Sequence, residues 1–182
     1  MTNFIRNILV KITGVGRCGT PFIQMEEEES RKRNFLKYAI ELSSESVKQG
    51  GFPVGAIVVK DDLIIAQGLS NGKNNKDATS HAEIEAIRNA SRKLNTRDLI
   101  GCELYSSMEP CLMCFSACYW AKIRTIVYAV GKDKLSKQHY EGLYPLNKIN
   151  SQNNKKIEII HGKDLENDAL VVIQDWEQKN KK

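Results

Sequence analysis

The chain has 182 residues, of which 41% are hydrophobic and 27% charged, a composition typical of globular proteins. Its net charge of +5 permits an RNA or nucleotide partner without requiring one, and no apolar run approaches the ~18 residues of a membrane-spanning helix. Five cysteines, an odd number that includes a C-x-x-C pair, favour a metal site in a reducing compartment over a disulfide framework. We therefore expect a cytoplasmic protein with no membrane partner.

The first 29 residues predict a poorly ordered N-terminal extension. Between Ile5 and Ile12, basic residues interrupt the apolar ones, so the segment lacks the continuous apolar core of a signal peptide. A weak targeting segment is the alternative interpretation. The acidic run Glu26–Glu29 precedes Ser30, where we expect the first helix to begin because acidic side chains stabilise the positive end of a helix. Residues 30–182 then form one predicted domain.

The predicted elements of this domain alternate between helices and strands. After the first helix, periodicity and turn residues predict a hairpin of strands 52–60 and 63–66, a polar loop 68–79, helix 80–94, strand 102–106, helix 110–122, strand 125–130, a stretch 131–154 with some helix, strand 157–160 and helix 164–178.

This order predicts an α/β fold, a three-layer α/β/α domain around a mixed five-stranded sheet. Because helices separate the last three strands, these strands are expected to run parallel. A ligand is then expected at their carboxyl ends, where two of the helices begin.

Two short motifs fall at those two helix starts. The first is His81-Ala82-Glu83, and the second is Pro110-Cys111-Leu112-Met113-Cys114. One imidazole and two thiolates, from His81, Cys111 and Cys114, supply three ligands for Zn²⁺. Three protein ligands leave the fourth tetrahedral position open, which is typical of a catalytic site and not of a structural one.

The helix starts give these residues a chemical role. We expect Thr79 or Ser80 to cap the first of the two helices and Pro110 to occupy the first position of the second. The positive helix ends lower the pKa of the thiols and so favour zinc-binding thiolates. Glu83 is the predicted acid/base, able to take a proton from water and to return it to the substrate, and Glu85 is the alternative.

Simpler interpretations of the same residues stay open at this stage. Ser80-x-x-Glu83 also fits a capping box, and a C-x-x-C pair fits a redox site or a structural zinc site. Cys118 is the nearby candidate for a fourth ligand, although a buried core position is expected for it. His139 and His161 lack a motif and are expected to be surface or packing residues. A non-catalytic zinc module that binds a nucleotide is the alternative of another class.

The combination of H-x-E with P-C-x-x-C is similar to the signature of zinc-dependent deaminases. From Phe35 to Gln178 the chain resembles the cytidine deaminase-like superfamily. This resemblance implies the cytidine deaminase-like fold, a bound Zn²⁺, hydrolytic release of ammonia from a nucleobase or nucleoside, and a homodimer. Phe115, Tyr119 and Trp120 are candidates for the dimer contact, with burial in the core as the alternative.

Within the superfamily, segments 105–114, 119–122 and 174–176 look most like guanine deaminase, which implies conversion of guanine to xanthine. A tRNA adenosine-to-inosine deaminase or a cytosine deaminase is the alternative. The tRNA enzymes usually carry a glycine- and alanine-rich loop after the fourth strand. Residues 132–137 form no such loop, so tRNA is the less favoured partner.

The resemblance also implies substrate-binding residues. Asn71 matches the asparagine that hydrogen-bonds the base, and the backbone of Ala82 would contact the base as well. Phe52 precedes the first strand, where an aromatic ring can stack on the substrate. Glu141 falls where guanine deaminases carry acidic residues that recognise the purine.

Overall fold

The computed structural model describes residues 21–136, 140 and 144–180, with the backbone alone for residues 21–23. Two compact units, residues 1–30 and 31–182, divide the chain, and the sheet and the candidate site lie in the second. The helices are α1 (Pro21–Lys48), α2 (Gly72–Asn75), α3 (Ala82–Lys93), α4 (Leu112–Trp120), α5 (Leu146–Gln152) and α6 (Glu166–Lys179), with 3₁₀ turns at Lys132–Lys134 and Lys163–Leu165.

Helix α1 begins at Pro21 and not at the predicted Ser30. Proline suits a first helical position because its missing N–H has no partner there in any helix. The acidic run Glu26–Glu29 therefore lies within the helix and does not precede it. Across the described residues, none of the helices combines the length and the apolar character needed to cross a bilayer.

The five strands form one mixed sheet, as predicted. They are β1 (Gly55–Lys60), β2 (Leu63–Leu69), β3 (Glu103–Met108), β4 (Thr125–Val130) and β5 (Glu158–His161), in the order β2-β1-β3-β4-β5. Strand β1 is antiparallel to β2 and β3, whereas β3, β4 and β5 run parallel to one another. Helices connect the parallel strands, which confirms the expectation drawn from the order of the elements.

A two-residue turn joins β1 to β2. Asp61 and Asp62 both have positive φ, at 48° and 62°, and Lys60 pairs with Leu63 across the turn. Two successive residues in the left-handed region match a type I′ hairpin turn, and aspartate tolerates that region better than most side chains. The predicted turn at these two residues is confirmed.

Helices cover both faces of the sheet. Helix α1 lies on one face, since its Leu42 side chain would be 2.5 Å from a Cβ atom placed on Gly55 of β1. Helix α3 lies on the opposite face, since its Ala82 carbonyl oxygen would be 2.1 Å from a Cβ atom placed on Gly68 of β2. Gly68 pairs with Ala56, the neighbour of Gly55, so the alternation of strand side chains assigns the two glycines to opposite faces. The three-layer α/β/α arrangement follows.

The parallel strands position the site. Strand β3 is buried along its whole length, and the chain leaves its carboxyl end at Met108 to enter α4. Helix α3 contacts α4 and packs against β1 and β2, so the starts of both helices meet at this edge of the sheet. The edge beyond the carboxyl ends of parallel strands is where α/β proteins bind ligands.

Candidate active site

His81, Cys111 and Cys114 come together at the starts of α3 and α4. The Nδ1 atom of His81 lies 3.6 Å from the Sγ atom of each cysteine, and the two sulfurs are 3.4 Å apart. Among the described residues, these three form the group of ligand-type side chains with all ligand atoms within 4.8 Å of one another. The predicted ligands are thus assembled in one place.

These distances fit a tetrahedral zinc ion. Ligand bonds of ~2.3 Å to sulfur and ~2.1 Å to nitrogen, at tetrahedral angles, separate nitrogen from sulfur by about 3.6 Å and two sulfurs by about 3.8 Å. The nitrogen–sulfur distances agree with these values, and the two sulfurs lie slightly closer together. Two sulfurs and one imidazole nitrogen are ligands that zinc prefers.

Each helix start holds its ligand in the capping position. His81 is the N-cap of α3, with φ −78° and ψ 155°, and Cys111 is the N-cap of α4, with φ −67° and ψ 169°. The Cys111 sulfur accepts a hydrogen bond from the Cys114 backbone N–H at 3.4 Å. The expected roles of Thr79 and Ser80 as caps are therefore wrong, because the histidine itself fills that position.

Pro110 also lies one step earlier than predicted. Helix α4 begins at Leu112, so Pro110 precedes the N-cap and is not the first helical residue. A sulfur that serves as both helix cap and metal ligand needs the extended backbone of an N-cap, which pushes the helix start past Cys111. The end of α4 that faces the metal is still its positive end, which favours thiolate ligands.

Ser80 serves the loop in front of His81. Its hydroxyl accepts a hydrogen bond from Asn75 Nδ2 at 2.9 Å and donates one to Glu85 Oε1 at 2.8 Å. Arg88 forms an ion pair with the same Glu85 oxygen at 2.7 Å. These contacts tie the carboxylate of Glu85 to the loop, and Glu85 is not among the residues that line the cavity described below, which favours Glu83 over Glu85 as the predicted acid/base.

Glu83 has the burial expected of an acid/base in a closed site. Its side chain is nearly inaccessible to solvent, and it lines the same cavity as His81 and Cys111. Burial raises the pKa of Glu83; a hydrogen bond from its own backbone opposes the rise, and the nearby Cys111 charge adds to it. The Ser80 hydroxyl bonds to Glu85, so the capping-box interpretation of Glu83 has no support in the geometry.

The two cysteines differ in acidity. A hydrogen bond from Cys114 lowers the pKa of Cys111 to about 4 against the opposing effect of burial, and His81 adds to the lowering. The hydrogen bond to Cys111 and burial raise the pKa of Cys114. Since zinc binds thiolates, metal binding at this pair requires both sulfurs to be deprotonated.

Cys118 and His161, a further cysteine and histidine considered above, pack in the domain and are not metal ligands in this arrangement. Cys118 is fully buried in the core, its pKa is raised by burial, and it is not part of the ligand group. The His161 ring stacks on Tyr128 at 4.8 Å, and its Nε2 atom lies 2.9 Å from the Ala129 carbonyl oxygen. His161 is therefore a local packing residue, as expected, and His139 lies outside the described residues.

A cavity of about 510 Å³ opens beside the ligand group. This volume is within the ~300–1,000 Å³ typical of small-molecule sites. Its walls come from five parts of the chain: the segment before β1, the loop before α3 with the start of that helix, the stretch between β3 and α4, the segment after β4, and the end of α6. They include Gly51, Phe52, Val54, Ser70, Ala82, Glu83, Met108, Glu109, Lys132, Tyr140, Trp176 and Asn180.

Three aromatic rings form one wall of this cavity. The Phe52 ring lies 4.5 Å from the Trp176 ring and 5.1 Å from the Tyr140 ring, each pair edge to face. Phe52 was predicted as a site residue, but Tyr140 and Trp176 were not. The sequence signal for Trp176 was its place in the C-terminal segment that resembles guanine deaminase. Nothing local to Tyr140 distinguishes it from an ordinary packing aromatic.

The remaining predicted substrate residues differ in how the structure positions them. Ala82 is fully buried and lines the cavity at the first position of α3. Asn71 lies between Ser70 and Gly72, which both line the cavity, but Asn71 is not itself a lining residue. Glu141 is outside the described residues. Roles for these residues in substrate binding stay predictions.

A three-layer α/β/α domain with a histidine and two cysteines at helix starts is the architecture of a zinc-dependent deaminase domain. The sequence profile of the cytidine and deoxycytidylate deaminase zinc-binding region matches residues 29–130. The chain belongs to this family.

The individual relatives include a guanine deaminase and a tRNA adenosine deaminase. The chain is 48% identical to the guanine deaminase of Bacillus subtilis (strain 168) over 96 residues, which are 52% of this chain and 62% of that enzyme. It is 41% identical to the tRNA-specific adenosine deaminase of Aquifex aeolicus (strain VF5) over 108 residues, which are 59% of this chain and 69% of that enzyme. The aligned segment thus spans roughly two thirds of each relative.

The fold is similar to that of a solved guanine deaminase. The structure of guanine deaminase from Nitrosomonas europaea matches with a TM-score of 0.72 at 26% sequence identity. The match covers 92% of this chain and 99% of the Nitrosomonas chain. The likeness therefore extends beyond the metal-binding segment to the C-terminal part that carries Trp176.

Proposed function

We propose that the protein is a zinc-dependent hydrolytic deaminase of a nucleobase or nucleoside, with guanine converted to xanthine and ammonia. One observation carries this proposal: the metal ligands His81 and Cys111 and the buried carboxylate of Glu83 open onto the same cavity. A structural zinc site needs neither an adjacent cavity nor a buried acid. A hydrolytic site needs both, together with an open position on the metal.

The residues divide the chemistry between them. His81, Cys111 and Cys114 hold the metal, which, when bound, lowers the pKa of a water molecule toward ~7. Glu83 accepts a proton from the attacking water and passes protons to the ring nitrogen and to the departing amine. Its raised pKa suits both transfers, because burial makes this carboxyl group hold a proton more readily than an exposed one, so that it can accept a proton and return it. The net reaction adds water and releases ammonia.

The aromatic wall supports a planar ring as the substrate. The aromatic wall is formed by Phe52, Tyr140 and Trp176 and lies in the same cavity as the metal ligands. A purine can pack its face against these rings and keep the polar atoms at its edge available for hydrogen bonds. The backbone of Ala82, and Asn71 if its side chain turns toward the cavity when substrate binds, supply the polar contacts. The similarity to two guanine deaminases, in sequence and in fold, favours guanine among the planar bases.

A tRNA adenosine-to-inosine deaminase is the second candidate. The identity to the Aquifex enzyme supports it, and the net charge of +5 is compatible with RNA. Against it, Lys132–Lys134 form a 3₁₀ turn with charged residues, where the tRNA enzymes usually carry a glycine- and alanine-rich loop. A cytosine deaminase shares the same chemistry and stays an alternative for the free-base substrate.

A panel of substrates tests the proposal. Guanine, guanosine, adenine, cytosine, cytidine and a tRNA anticodon stem are incubated with the zinc-loaded protein, and ammonia and the deaminated products are measured. We expect guanine to give xanthine fastest. If the free bases and nucleosides are left unchanged and adenosine in the anticodon stem becomes inosine, the second candidate replaces the first. A protein that deaminates none of them, although it binds zinc, supports the non-catalytic module.

We also propose a cytoplasmic homodimer in which residues 30–182 form the deaminase domain and residues 1–29 an extension. Trp120, at the end of α4, is 79% exposed and is the candidate for the dimer contact, whereas Phe115 on the same helix is buried in the core. The Tyr119 and Trp120 rings lie 6.2 Å apart, centroid to centroid, so together they offer an apolar patch, and exposed apolar patches are typical of contact surfaces. Sedimentation of the parent and of Trp120→Ala tests the contact, since the variant is expected to dissociate.

A further inference from the structure

Ser46 lies deep in the protein, far from the metal ligands in sequence, yet it contacts two segments that line the cavity. It is fully buried near the end of α1. Its hydroxyl donates a hydrogen bond to the Phe52 carbonyl oxygen at 2.7 Å and accepts one from the Ser70 backbone N–H at 3.2 Å. One side chain therefore joins the segment before β1 to the segment after β2.

Both partners of Ser46 belong to the cavity walls. Phe52 carries the ring in contact with Trp176 and Tyr140, and Ser70 stands at the head of the loop that leads to His81. A buried serine in a helix commonly bonds to a carbonyl of its own preceding turn. The Ser46 hydroxyl bonds instead to the backbones of Phe52 and Ser70, which lie in two separate loops outside its own helix.

The packing around Gly51 shows how closely the two loops approach. Its backbone N–H donates to the Ser46 carbonyl oxygen at 2.8 Å. A Cβ on Gly51 would lie 2.0 Å from the Ser70 carbonyl oxygen and 2.7 Å from the Ser46 hydroxyl, distances that no side chain can occupy. The loop before Phe52 thus fits against Ser46 and Ser70 with no free space, and a change at Ser46 must be transmitted to Phe52.

We propose that Ser46 is a positioning residue that holds the aromatic wall of the cavity in place for the substrate ring. It does not touch the substrate, and it acts through the backbone of Phe52 and Ser70. The proposal rests on the proposed function in one respect, that the Phe52 wall contacts the substrate. Loss of the hydroxyl leaves the Ser70 N–H without its partner and frees Phe52 to shift, so substrate binding weakens while the metal ligands stay unchanged.

The chain offers a matched control one turn earlier on the same helix. Ser43 is also buried, but within the part of the chain that the structure describes its hydroxyl bonds only to the Ile40 carbonyl oxygen of α1, at 2.6 Å. Ser43→Ala therefore removes a buried hydroxyl without touching the cavity walls. We expect Ser46→Ala to raise KM for the deaminated base about five- to thirty-fold, the effect of a lost interaction of ordinary strength. Turnover and zinc content are expected to stay close to the parent, and Ser43→Ala to leave KM unchanged.

Two further measurements separate positioning from general destabilisation. Ser46→Cys keeps the size of the side chain and a weak S–H donor, so it is expected to raise KM less than Ser46→Ala does. In a Trp120→Phe background, Trp176 is the remaining tryptophan, because the chain has two. Its fluorescence emission is expected to shift in Ser46→Ala and not in Ser43→Ala, since the Phe52 ring lies 4.5 Å from it.

The outcomes are distinguishable from those of the proposed function. If the protein deaminates no base, the fluorescence comparison still decides whether Ser46 positions the wall. Equal KM values and equal emission for the two alanine variants would overturn the role of Ser46 while leaving the deaminase intact. A shift in emission without any change in KM would also overturn it, because the wall would then not serve the substrate.

Discussion

The metal ligands and the aromatic wall lie on the same cavity but come from different kinds of structure. His81, Cys111 and Cys114 occupy two helix starts, each within a short motif that the backbone of an N-cap orients. Phe52, Tyr140 and Trp176 come from three distant segments that meet only when the domain has folded. The chemistry of the site is thus encoded locally, whereas its shape depends on contacts between remote parts of the chain.

This difference predicts two kinds of mutational effect. Substitutions in the helix-start motifs are expected to remove the reaction while the cavity keeps its form. Substitutions in the wall are expected to weaken substrate binding while the metal and the acid/base stay in place. Variants of each kind, with controls from neighbouring positions, test whether the two parts are separable.

Loss of a metal ligand should have the largest effect. Cys111→Ala removes a sulfur that serves as ligand and as cap of α4, so we expect zinc content to fall from about one ion per chain to background and activity to disappear. Cys118→Ala is the control, since Cys118 is buried on the same helix but stands outside the ligand group. Metal analysis by mass spectrometry decides: full zinc content in Cys111→Ala, or its loss in Cys118→Ala, contradicts the assignment.

Glu83→Gln should remove the reaction and leave the metal in place. Glutamine keeps the size of the side chain but cannot shuttle a proton, so turnover should fall by about 10²–10⁴-fold or more. Glu85→Gln is the control, because Glu85 bonds to Ser80 and Arg88 and is expected to keep most of the activity. Ammonia release and zinc content are measured on both variants. Activity near the parent level in Glu83→Gln would exclude this residue as the acid/base.

Trp176→Ala tests the wall without disturbing the motifs. Stacking of a base on an aromatic side chain is worth ~1–3 kcal/mol, so KM should rise by the corresponding factor while zinc content is unchanged. Val171→Ala on the same helix provides the control, since Val171 is exposed and is not a lining residue of the cavity. A fall in turnover with unchanged KM would mean that the wall acts on the chemical step, and the two parts of the site would then not be separable.

Glu103 offers a test in a region remote from both parts, at the start of β3. Burial raises the pKa of Glu103, but hydrogen bonds from Tyr105 and Arg124 and the charge of Arg31 outweigh it, so the pKa lies below its ordinary value of 4.5. The group therefore stabilises the fold above the unfolded-state pKa, and this stability is lost as the pH falls through the folded-state pKa.

Glu103→Gln should lower the unfolding free energy at pH 7 by ~1–3 kcal/mol, and its difference from the parent should shrink as the pH falls below about 4.5. Chemical denaturation at several pH values measures this difference. KM and turnover at pH 7 should stay unchanged, because Glu103 lies at the opposite end of β3 from the cavity. A pH-independent difference would show that the carboxylate charge is not the source of the stability.

The order of the elements and the ligand set could be predicted because both depend on local pattern. Strand β4 was predicted with its observed bounds, since a short apolar run flanked by turn residues has few alternatives. The helix caps were less predictable: Ser80 is a better cap than His81 by preference, but the metal-binding geometry places His81 there. The start of α1 was missed because an acidic run fits the first turn of a helix as well as its interior.

The fold class and the three metal ligands could be predicted from the sequence alone, because each follows from spacing over a few residues and from the chemistry of its side chains. Glu83 as the acid/base stays a prediction from the same spacing. The contacts of Phe52 with Tyr140 and Trp176, the hydrogen bond from Ser46 to Phe52, and the bonds of Glu85 to Ser80 and Arg88 became apparent from the tertiary structure alone. These contacts join residues that are far apart in the chain or that compete for the same partner. The periodicity of a short segment cannot predict these contacts, because they form only when α1, α3 and α6 pack around the sheet.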